Sequence, residues 1–194
     1  MNIDLKILDA LNSVLTNRNH ALDLLVIFLA NYLVYVFAAI AVLYWFWNSA
    51  KLSARKAVLL AFVSFVLARG VVTEIIRHIY ARPRPDIPHP IIDMSQKQFE
   101  ASFPSGHATA MFSIAMSIYF YNKKLGWWMF GMAAVTAVFR VAIGVHYPSD
   151  VLAGAVFGIL TSWLVEKIAA GKIDGLVLKL SNLSDRIFPW TGRP

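Results

Sequence analysis

Apolar runs of about twenty residues recur along the chain, separated by shorter polar stretches. Roughly 20 apolar residues are needed for a helix to cross a bilayer, so each run is long enough for one span. The fifth run contains Gly154-Ala-Val-Phe-Gly158, whose small residues favour close helix packing. The pattern predicts an all-α polytopic membrane bundle with five spans, at about 22–47, 57–78, from the 101–109 hinge to 121, 127–144 and 148–170.

Two segments outside the spans have other patterns. Residues 80–102 are polar and proline-rich, which excludes a regular helix. Residues 3–16 predict an amphipathic helix at the membrane interface. Its apolar face is formed by Ile3, Leu5, Ile7, Leu8, Leu11 and Leu15, with Asp4, Lys6 and Asp9 elsewhere. Neither a repeat nor a second domain is evident, so we predict one domain over 1–194 with its core at about 20–170.

Composition supports a membrane protein. The 194 residues are 58% hydrophobic, with a mean hydropathy of +0.60, which is too apolar for a soluble domain. The absence of cysteine excludes disulfides, thiolate metal sites and a cysteine nucleophile. The first twenty residues lack the basic start, apolar run and cleavage site of a signal peptide, so we expect them to be retained.

Basic residues predict the orientation. Loop 48–56 has three, loop 122–126 two and tail 167–194 five, so the positive-inside rule places these regions in the cytoplasm. The N-terminus then lies outside, as does segment 77–104. That segment nevertheless carries Arg77, Arg82, Arg84 and Lys97. Because these charges oppose the topology signal, they need another explanation, and an anionic ligand supplies one.

The hinge Ala101-Ser-Phe-Pro-Ser-Gly-His-Ala-Thr109 has the features of an anion site. Pro104 presets a first helical turn, Ser102 or Ser105 can cap it, and Gly106 leaves the backbone amides open to a ligand. The positive end of the helix would lie beside His107, which titrates near neutrality. An ordinary capped helix with an interfacial histidine explains this stretch equally well.

Two further stretches carry candidate chemistry. In Arg77-His-Ile-Tyr-Ala-Arg-Pro-Arg-Pro85, the prolines stiffen the backbone that displays Arg82 and Arg84. In Arg140-Val-Ala-Ile-Gly-Val-His-Tyr-Pro-Ser-Asp150, a helix break at Gly144 and Pro148 would bring Arg140 and His146 together.

Asp150 follows His146 by four residues. It could accept a hydrogen bond from one ring nitrogen and leave the other free as a nucleophile. Taken alone, this pair is equally consistent with an interfacial histidine and a carboxylate at a helix N-terminus.

Together the three stretches provide the parts for phosphoryl transfer without a metal. Guanidinium groups and amides would stabilise the phosphoryl oxygens, one imidazole would attack phosphorus, and the other would protonate the departing oxygen. A non-catalytic channel or lipid carrier could also carry charges within the membrane, but it would not need a paired nucleophile and acid. Such a protein remains an alternative, which phosphate release by the purified protein would exclude.

The three stretches resemble the signature of the type-2 phosphatidic acid phosphatase superfamily over residues 20–170. Its pattern is Lys-x6-Arg-Pro, Pro-Ser-Gly-His and Ser-Arg-x5-His-x3-Asp. The superfamily includes membrane lipid phosphatases, soluble acid phosphatases and vanadium haloperoxidases. The resemblance implies a phosphohistidine at His146, oriented by Asp150, and a general acid at His107, with no metal or other cofactor. It implies phosphate binding by Arg77, Arg84, Ser105, Gly106 and Arg140.

Two positions depart from the family pattern. Arg77 replaces the lysine, which preserves charge but adds a planar fork. Phe139 replaces the serine before Arg140 and removes a hydroxyl group.

Other ionisable residues receive supporting roles or none. Glu74 lies one turn before Arg77 and can orient it, although an ion pair between helices is equally consistent with the sequence. Arg82 is a second candidate for a supporting role. Arg69 lies deeper in the second span, and we predict a buried structural pair for it. No partner is predicted for His20, His78 or His89.

The expected protein is a lipid phosphatase of a bacterial plasma membrane, with its site on the outer face and its C-terminus in the cytoplasm. It most resembles the bacterial undecaprenyl pyrophosphate phosphatases. A phosphatidylglycerophosphate or phosphatidate phosphatase is the close alternative, and a vanadate-dependent haloperoxidase a remote one. Its expected partners are a lipid phosphate or pyrophosphate and the bilayer, but not nucleic acid. The sequence does not predict an oligomeric state.

Overall fold

The computed structural model describes residues 3–47, 52–88, 90–92 and 100–188. This part of the chain is helical and contains no β-strand. Leu52–Ile79 is one continuous helix in which the π-helical segment Val66–Val72 separates α4 from α5. The helices are α1 (Ile3–Leu15), α2 (His20–Asn31), α3 (Leu33–Trp47), α4 (Leu52–Phe65), α5 (Thr73–Ile79), α6 (Gly106–Tyr121), α7 (Lys123–Ala142), α8 (Pro148–Ala169) and α9 (Asp174–Ile187).

Helix α6 is the centre of the bundle and packs against α4, α7 and α8. Its contact with α8 is the most extensive, and Gly154 and Gly158 face its backbone there. A Cβ atom on Gly158 would lie 2.4 Å from the Thr109 carbonyl oxygen, and one on Gly154 would lie 2.7 Å from that of Ser105. The small-residue face predicted from sequence is therefore confirmed as the α6–α8 interface.

Buried hydroxyl groups also join the central helices. The Ser117 hydroxyl group on α6 lies 3.0 Å from that of Ser64 and 2.8 Å from that of Ser162, which belong to α4 and α8. Hydrogen bonding satisfies these polar groups where the surrounding helices and bilayer offer no water. The three helices are thus fixed to one another by polar contacts as well as by packing.

The described residues confirm a helical membrane bundle but not the predicted number of spans. Leu52–Ile79, α7 and α8 are each long and apolar enough to cross a bilayer. The predicted first span is not one straight helix, because α2 and α3 meet at an angle of 51°. Helix α6 has 16 residues, or about 24 Å at 1.5 Å per residue, which is shorter than a bilayer core of about 30 Å. Five spans therefore remain a prediction.

The N-terminal helix forms as predicted, but only part of its predicted apolar face contacts the bundle, through Leu8, Leu11 and Leu15. Leu8 is only 1% exposed and Asp4 is also buried, whereas Ile3, assigned to the apolar face, is 71% exposed. The reason is that α1 lies across α7 and α8, where Asp4 has hydrogen-bond partners. Asp4, which the sequence placed on the polar face, thus anchors α1 to the bundle.

The prediction of a basic loop over 48–56 is partly wrong. Residues 48–51 lie outside the described residues, but 52–56 form the first turns of α4. Arg55 is fully buried and binds Asp185 and Ser181 of α9. Lys56 lies 2.6 Å from Asp174, also on α9. Two of the cations counted as topology signals therefore hold the C-terminal helix to the bundle.

Gly158→Ala should destabilise the protein by about 1–3 kcal/mol, because the added methyl group would press on the α6 backbone. Gly131→Ala in α7 is the matched control, since a Cβ there has no atom within 4 Å. It should be neutral or stabilising by up to about 1 kcal/mol, because alanine favours a helix over glycine. Thermal unfolding in detergent measures both, and equal midpoints for the two variants would contradict the proposed close contact.

Candidate active site

The three stretches singled out in the sequence meet at a cavity of about 590 Å³. Its lining includes most of the predicted cationic and histidine residues together with a set of apolar and aromatic ones. The polar lining residues are Asn31, Arg69, Arg77, Arg84, Glu100, His107, Arg140 and His146. The apolar and aromatic lining residues are Tyr32, Val34, Tyr35, Phe65 and Ala110. The cavity therefore combines a cationic pocket with a surface suited to a lipid chain.

His146 lies in the turn between α7 and α8 and is completely buried. The turn needs Gly144, whose φ of +74° is in the left-handed region, where a Cβ would also strike Ile87 at 2.4 Å. The predicted helix break thus brings Arg140 to His146, with Arg140 Nη2 3.4 Å from His146 Nε2. Phe139, the residue that replaces the family serine, packs with the apolar cluster of Ile143 and Val145 that supports the turn.

Burial lowers the pKa of His146 below its ordinary value, and the charges of Arg140 and Arg84 lower it further. The imidazole is therefore held neutral, which is the form able to act as a nucleophile. If Nε2 accepts from Arg140, the ring proton lies on Nδ1, the nitrogen facing Ser102 and Asp150.

The predicted hydrogen bond between His146 and Asp150 is not formed directly. Nδ1 of His146 lies 3.8 Å from Asp150 Oδ2, which exceeds hydrogen-bond distance. The Ser102 hydroxyl group lies 3.5 Å from the same nitrogen and donates to Asp150 Oδ2. Ser102 was expected as a helix cap, but its side chain instead joins the histidine to the carboxylate.

Asp150 is fully buried and accepts three hydrogen bonds from the described residues. They come from Ser102, from the Tyr147 amide at 2.8 Å and from Arg82 Nη1 at 2.7 Å. The Tyr147 contact caps the start of α8. Arg82, for which the sequence suggested a supporting role, thus holds Asp150 in place.

Arg82 is held in turn by α1. Its Nη2 lies 2.9 Å from Asp4 Oδ2, and its guanidinium group stacks 3.8 Å from the centre of the Tyr147 ring. Asp4 also accepts from the Ser149 amide at 3.0 Å and from its hydroxyl group. Asp4 and Ser149 carried no signal in the sequence, because one α1 carboxylate resembles any exposed acid until α1 is placed on α8.

These contacts shift the titration of both charged groups. Burial raises the pKa of Asp4, but hydrogen bonds from Ser149 and Arg82 outweigh it and hold the pKa below its ordinary value. Burial lowers the pKa of Arg82, but Asp4 and Asp150 outweigh it and raise the pKa overall. Both groups are therefore charged at neutral pH, and the ion pair persists across the physiological range.

Three arginines surround His146 with few counter-charges. Arg84 donates to the Val145 carbonyl at 2.8 Å and to Glu100 at 3.1 Å. Arg140 donates to Asn31, and Arg77 lies 3.5 Å from Glu74. Each uses its terminal nitrogens for these contacts.

Four buried donors of the site have no hydrogen-bond partner within the described part of the chain. They are the Nε atoms of Arg77, Arg84 and Arg140 and the hydroxyl group of Ser105. A buried donor without an acceptor costs about 1–3 kcal/mol, so an acceptor that binds here would gain hydrogen bonds from four donors. An anion with several oxygens, such as a phosphate, fits this requirement.

The N-terminus of α6 completes the site. The helix begins at Gly106, two residues after Pro104, and Ser105 occupies the capping position without a side-chain cap. The first backbone amides of such a helix have no partners within it and attract anions. His107, in the first turn, is half-buried and lines the same cavity.

Arg69 pairs with Glu74 as expected from an ionisable residue in a span, but the pair is not buried. The Arg69 side chain is 36% exposed and lines the cavity. Glu74 also contacts Arg77, as the sequence suggested. His78 Nδ1 lies 3.1 Å from the Glu74 carbonyl oxygen, His20 begins α2, and His89 lies outside the described residues.

No group of three His, Cys, Asp or Glu side chains in the described ranges could hold a metal ion. Among the described residues, the cationic side chains that line the cavity are those of arginines. The arrangement can bind a multiply charged anion, present a neutral imidazole to it and supply a second histidine for proton transfer.

Known proteins share this fold. A crystal structure of LpxE from Aquifex aeolicus matches with a TM-score of 0.64 and 23% identity, covering 86% of this chain and 96% of that one. A transmembrane PAP2-type phosphatidylglycerolphosphate phosphatase from Bacillus subtilis matches with a TM-score of 0.63 and 22% identity, covering 87% of this chain and 85% of that one. At these identities the matches establish the fold alone.

Sequence relatives match somewhat more than half of the chain. Undecaprenyl-diphosphatase BcrC of Bacillus subtilis (strain 168) is 31% identical over 58% of this chain and 57% of its own length. The bacitracin transport permease protein BcrC of Bacillus licheniformis is 34% identical over 55% and 51%. The chain thus spans slightly more than half the length of these relatives. The PAP2 superfamily model matches residues 57–173, which include all three stretches of the site, and the chain belongs to the PAP2 superfamily.

Proposed function

We propose that this protein is an integral-membrane lipid phosphatase that hydrolyses a polyprenyl diphosphate, such as undecaprenyl diphosphate, to the monophosphate and phosphate. The observation that carries the proposal is the convergence of Arg77, Arg84, Arg140 and the α6 N-terminus on a buried neutral His146. Membership of the PAP2 superfamily supports a phosphatase. The relative named undecaprenyl-diphosphatase supports the diphosphate substrate.

In the proposed mechanism, the terminal phosphoryl group occupies the cationic pocket. Its oxygens accept hydrogen bonds from the unpartnered donors of Arg77, Arg84, Arg140 and Ser105 and from the amides that begin with Gly106. The Nε2 atom of His146 attacks phosphorus. A nitrogen–phosphorus bond forms as the bridging oxygen–phosphorus bond breaks, and the bridging oxygen leaves with the bonding electrons.

As that bond breaks, His107 donates its proton to the leaving oxygen and becomes neutral. In the second step neutral His107 takes a proton from water, which attacks the phosphohistidine, releases phosphate and regenerates His146. The attack makes the His146 ring positive. Ser102 and Asp150 stabilise that charge from the Nδ1 side, and Arg82 keeps Asp150 in place.

The apolar wall supports a lipid substrate. Tyr32, Val34, Tyr35 and Phe65 line the same cavity as the arginines. A long hydrocarbon chain could remain beside these side chains, or in the bilayer, while its head group enters the cationic pocket. This arrangement favours an amphiphile over a small soluble phosphate ester.

We further propose that the protein lies in a bacterial plasma membrane with the cavity on the outer face. The basic loop 122–126 and the basic C-terminal tail support a cytoplasmic location for the opposite end. The arginines of segment 77–104 are excluded from this count because they serve the phosphate site.

The purified protein should release phosphate fastest from a prenyl diphosphate, and a chelator should leave the rate unchanged. The assay compares a prenyl diphosphate, phosphatidylglycerophosphate and phosphatidate at equal detergent mole fraction, with and without EDTA. Higher kcat/KM for either glycerolipid would replace the proposed substrate. Loss of activity in EDTA that only Mg²⁺ restores would contradict the mechanism.

Variants of the two histidines should respond differently to the leaving group. His146→Ala should be inactive on every substrate, because no phosphohistidine can form. In the first step, measured as the initial burst of product, His107→Ala should lose about 10²–10⁴-fold on an alkyl phosphate, but much less on an aryl phosphate or a diphosphate, whose leaving groups are weaker bases and depend less on the proton. His20→Ala is the matched control and should retain activity. Rescue of His146→Ala by activated substrates, without rescue of His107→Ala, would reverse the two roles.

Cysteine labelling tests the orientation, since the chain has no natural cysteine. Asp86 and Lys172 are both exposed. Asp86 precedes α6 and Lys172 follows α8, so three predicted spans lie between them and they should be on opposite sides of the membrane. In intact cells an impermeant thiol reagent should label Asp86→Cys but not Lys172→Cys, and permeabilisation should expose both. The reverse pattern would place the site on the cytoplasmic face.

A further inference from the structure

Arg69 lines the catalytic cavity but belongs to none of the three stretches that form the phosphate site. The sequence predicted a buried structural pair for it, whereas its side chain is 36% exposed. The side chains of Arg77 and Arg84 are 13% and 4% exposed. Arg69 therefore lies nearer the mouth of the cavity than these two arginines, which surround His146.

The π-helical segment Val66–Val72 determines where Arg69 points. In an α-helix, residues five apart are separated by about 140° around the axis and do not share a face. Here Arg69 binds Glu74, and the Thr73 hydroxyl group donates to the Ala68 carbonyl at 2.9 Å, both across five residues. The wider π turn thus brings Arg69 onto the face that carries Glu74 and Arg77. Such π segments are frequent at functional sites.

Gly106 allows Arg69 to reach the start of α6. A Cβ atom on Gly106 would lie 2.6 Å from Arg69 Nε and 3.2 Å from its Cζ. The guanidinium group therefore lies directly against the first residue of α6, and the next residue is His107. Any side chain at position 106 would displace it. In the proposed mechanism the terminal phosphoryl group binds at this helix start. In-line attack by the buried His146 places the leaving group on the opposite side of phosphorus, toward the mouth of the cavity, which is the side on which the more exposed Arg69 lies.

The charge around Arg69 is incompletely neutralised. Glu74 is shared between Arg69 and Arg77, and Glu100 pairs with Arg84. Among the described residues, four guanidinium groups thus line the cavity with one lining carboxylate, Glu100, while Glu74 pairs with two of the arginines from beside it. A diphosphate carries more negative charge than a monophosphate and presents a second set of oxygens, which need a cation beyond the one phosphate site.

We propose that Arg69 binds the inner phosphate of a diphosphate lipid, the phosphate attached to the hydrocarbon chain, and thereby selects diphosphates over monophosphates. The proposal rests on the function proposed above. As the bond to the terminal phosphorus breaks, the bridging oxygen remains on the inner phosphate and gains negative charge. That charge spreads over the non-bridging oxygens of the inner phosphate, which Arg69 binds. The leaving group of a monophosphate ester has no such oxygens.

Arg69→Gln should lower kcat/KM for a diphosphate by about 10- to 100-fold, the usual effect of losing a hydrogen bond between charged groups. The same variant should lose less than about threefold on the monophosphate. The matched substrates are a C15 prenyl diphosphate and the monophosphate of the same alcohol, measured as initial phosphate release in one detergent. Arg69→Lys should recover part of the selectivity, since it restores the charge but not the planar fork.

Lys56→Gln is the control variant. It also removes an ion-paired cation from the continuous helix Leu52–Ile79, about 20 Å from Arg69 along the axis at 1.5 Å per residue. It should leave the substrate ratio unchanged. An equal loss on both substrates for Arg69→Gln would overturn the proposal, because an arginine that only orients Glu74 and Arg77 would affect the terminal phosphate site in either case.

A binding measurement separates this proposal from the proposed function. Inorganic pyrophosphate should raise the thermal unfolding temperature of the wild-type protein more than phosphate does, and Arg69→Gln should remove that difference while retaining the shift caused by phosphate. An unchanged difference in the variant would contradict a role for Arg69. If the wild type released no phosphate from any lipid, the phosphatase proposal would fail, but this comparison would still decide whether Arg69 binds the second phosphate.

Discussion

Repulsion among buried guanidinium groups is the constraint on which this structure depends. Arg77, Arg84 and Arg140 surround a neutral imidazole, and the contacts that hold them use two carbonyls, an amide and two partly exposed carboxylates. Like charges on largely buried side chains repel more strongly than they would in water, because the protein around them screens them less. The site therefore stores unfavourable electrostatic energy that a phosphate would relieve. The bundle must supply the stability that holds the arginines there in the absence of a ligand.

The packing of α6 on α8 supplies that stability at the site itself. Glycines at 154 and 158 let the two helices approach until the Ser105 amide donates to the Asp150 carbonyl at 3.0 Å. The starts of both helices are thereby joined, so the amides of one and the histidine turn before the other face the same cavity. Asp4 fixes α1 across this junction, and the Ser102 amide donates to the Arg82 carbonyl at 2.8 Å. Elements far apart in sequence are held in one frame.

The sequence predicted the parts of this site that depend on local chemistry. The start of α8 at Pro148, the break at Gly144 and the three basic or histidine-containing stretches follow from residue types at fixed spacing. The contacts that depend on helix placement could not be predicted. Asp4 looked like a solvent-facing acid, and Arg55 looked like a loop cation, until α1 and α9 were placed. Arg69 was misjudged because a π segment changes the angular position of every residue along it.

The bend between α2 and α3 links the phosphate site to the membrane. Asn31 ends α2 and accepts a hydrogen bond from Arg140, while Tyr32 and Tyr35 follow it on the cavity wall and are exposed. Residues 31, 32 and 35 lie within about 100° of one another around a helix axis, so one face of this segment carries the amide and both rings. The 51° bend between α2 and α3 falls at this face. Asn31 gives Arg140 a neutral partner, which adds no charge to the pocket, and the two tyrosines place an aromatic edge beside it.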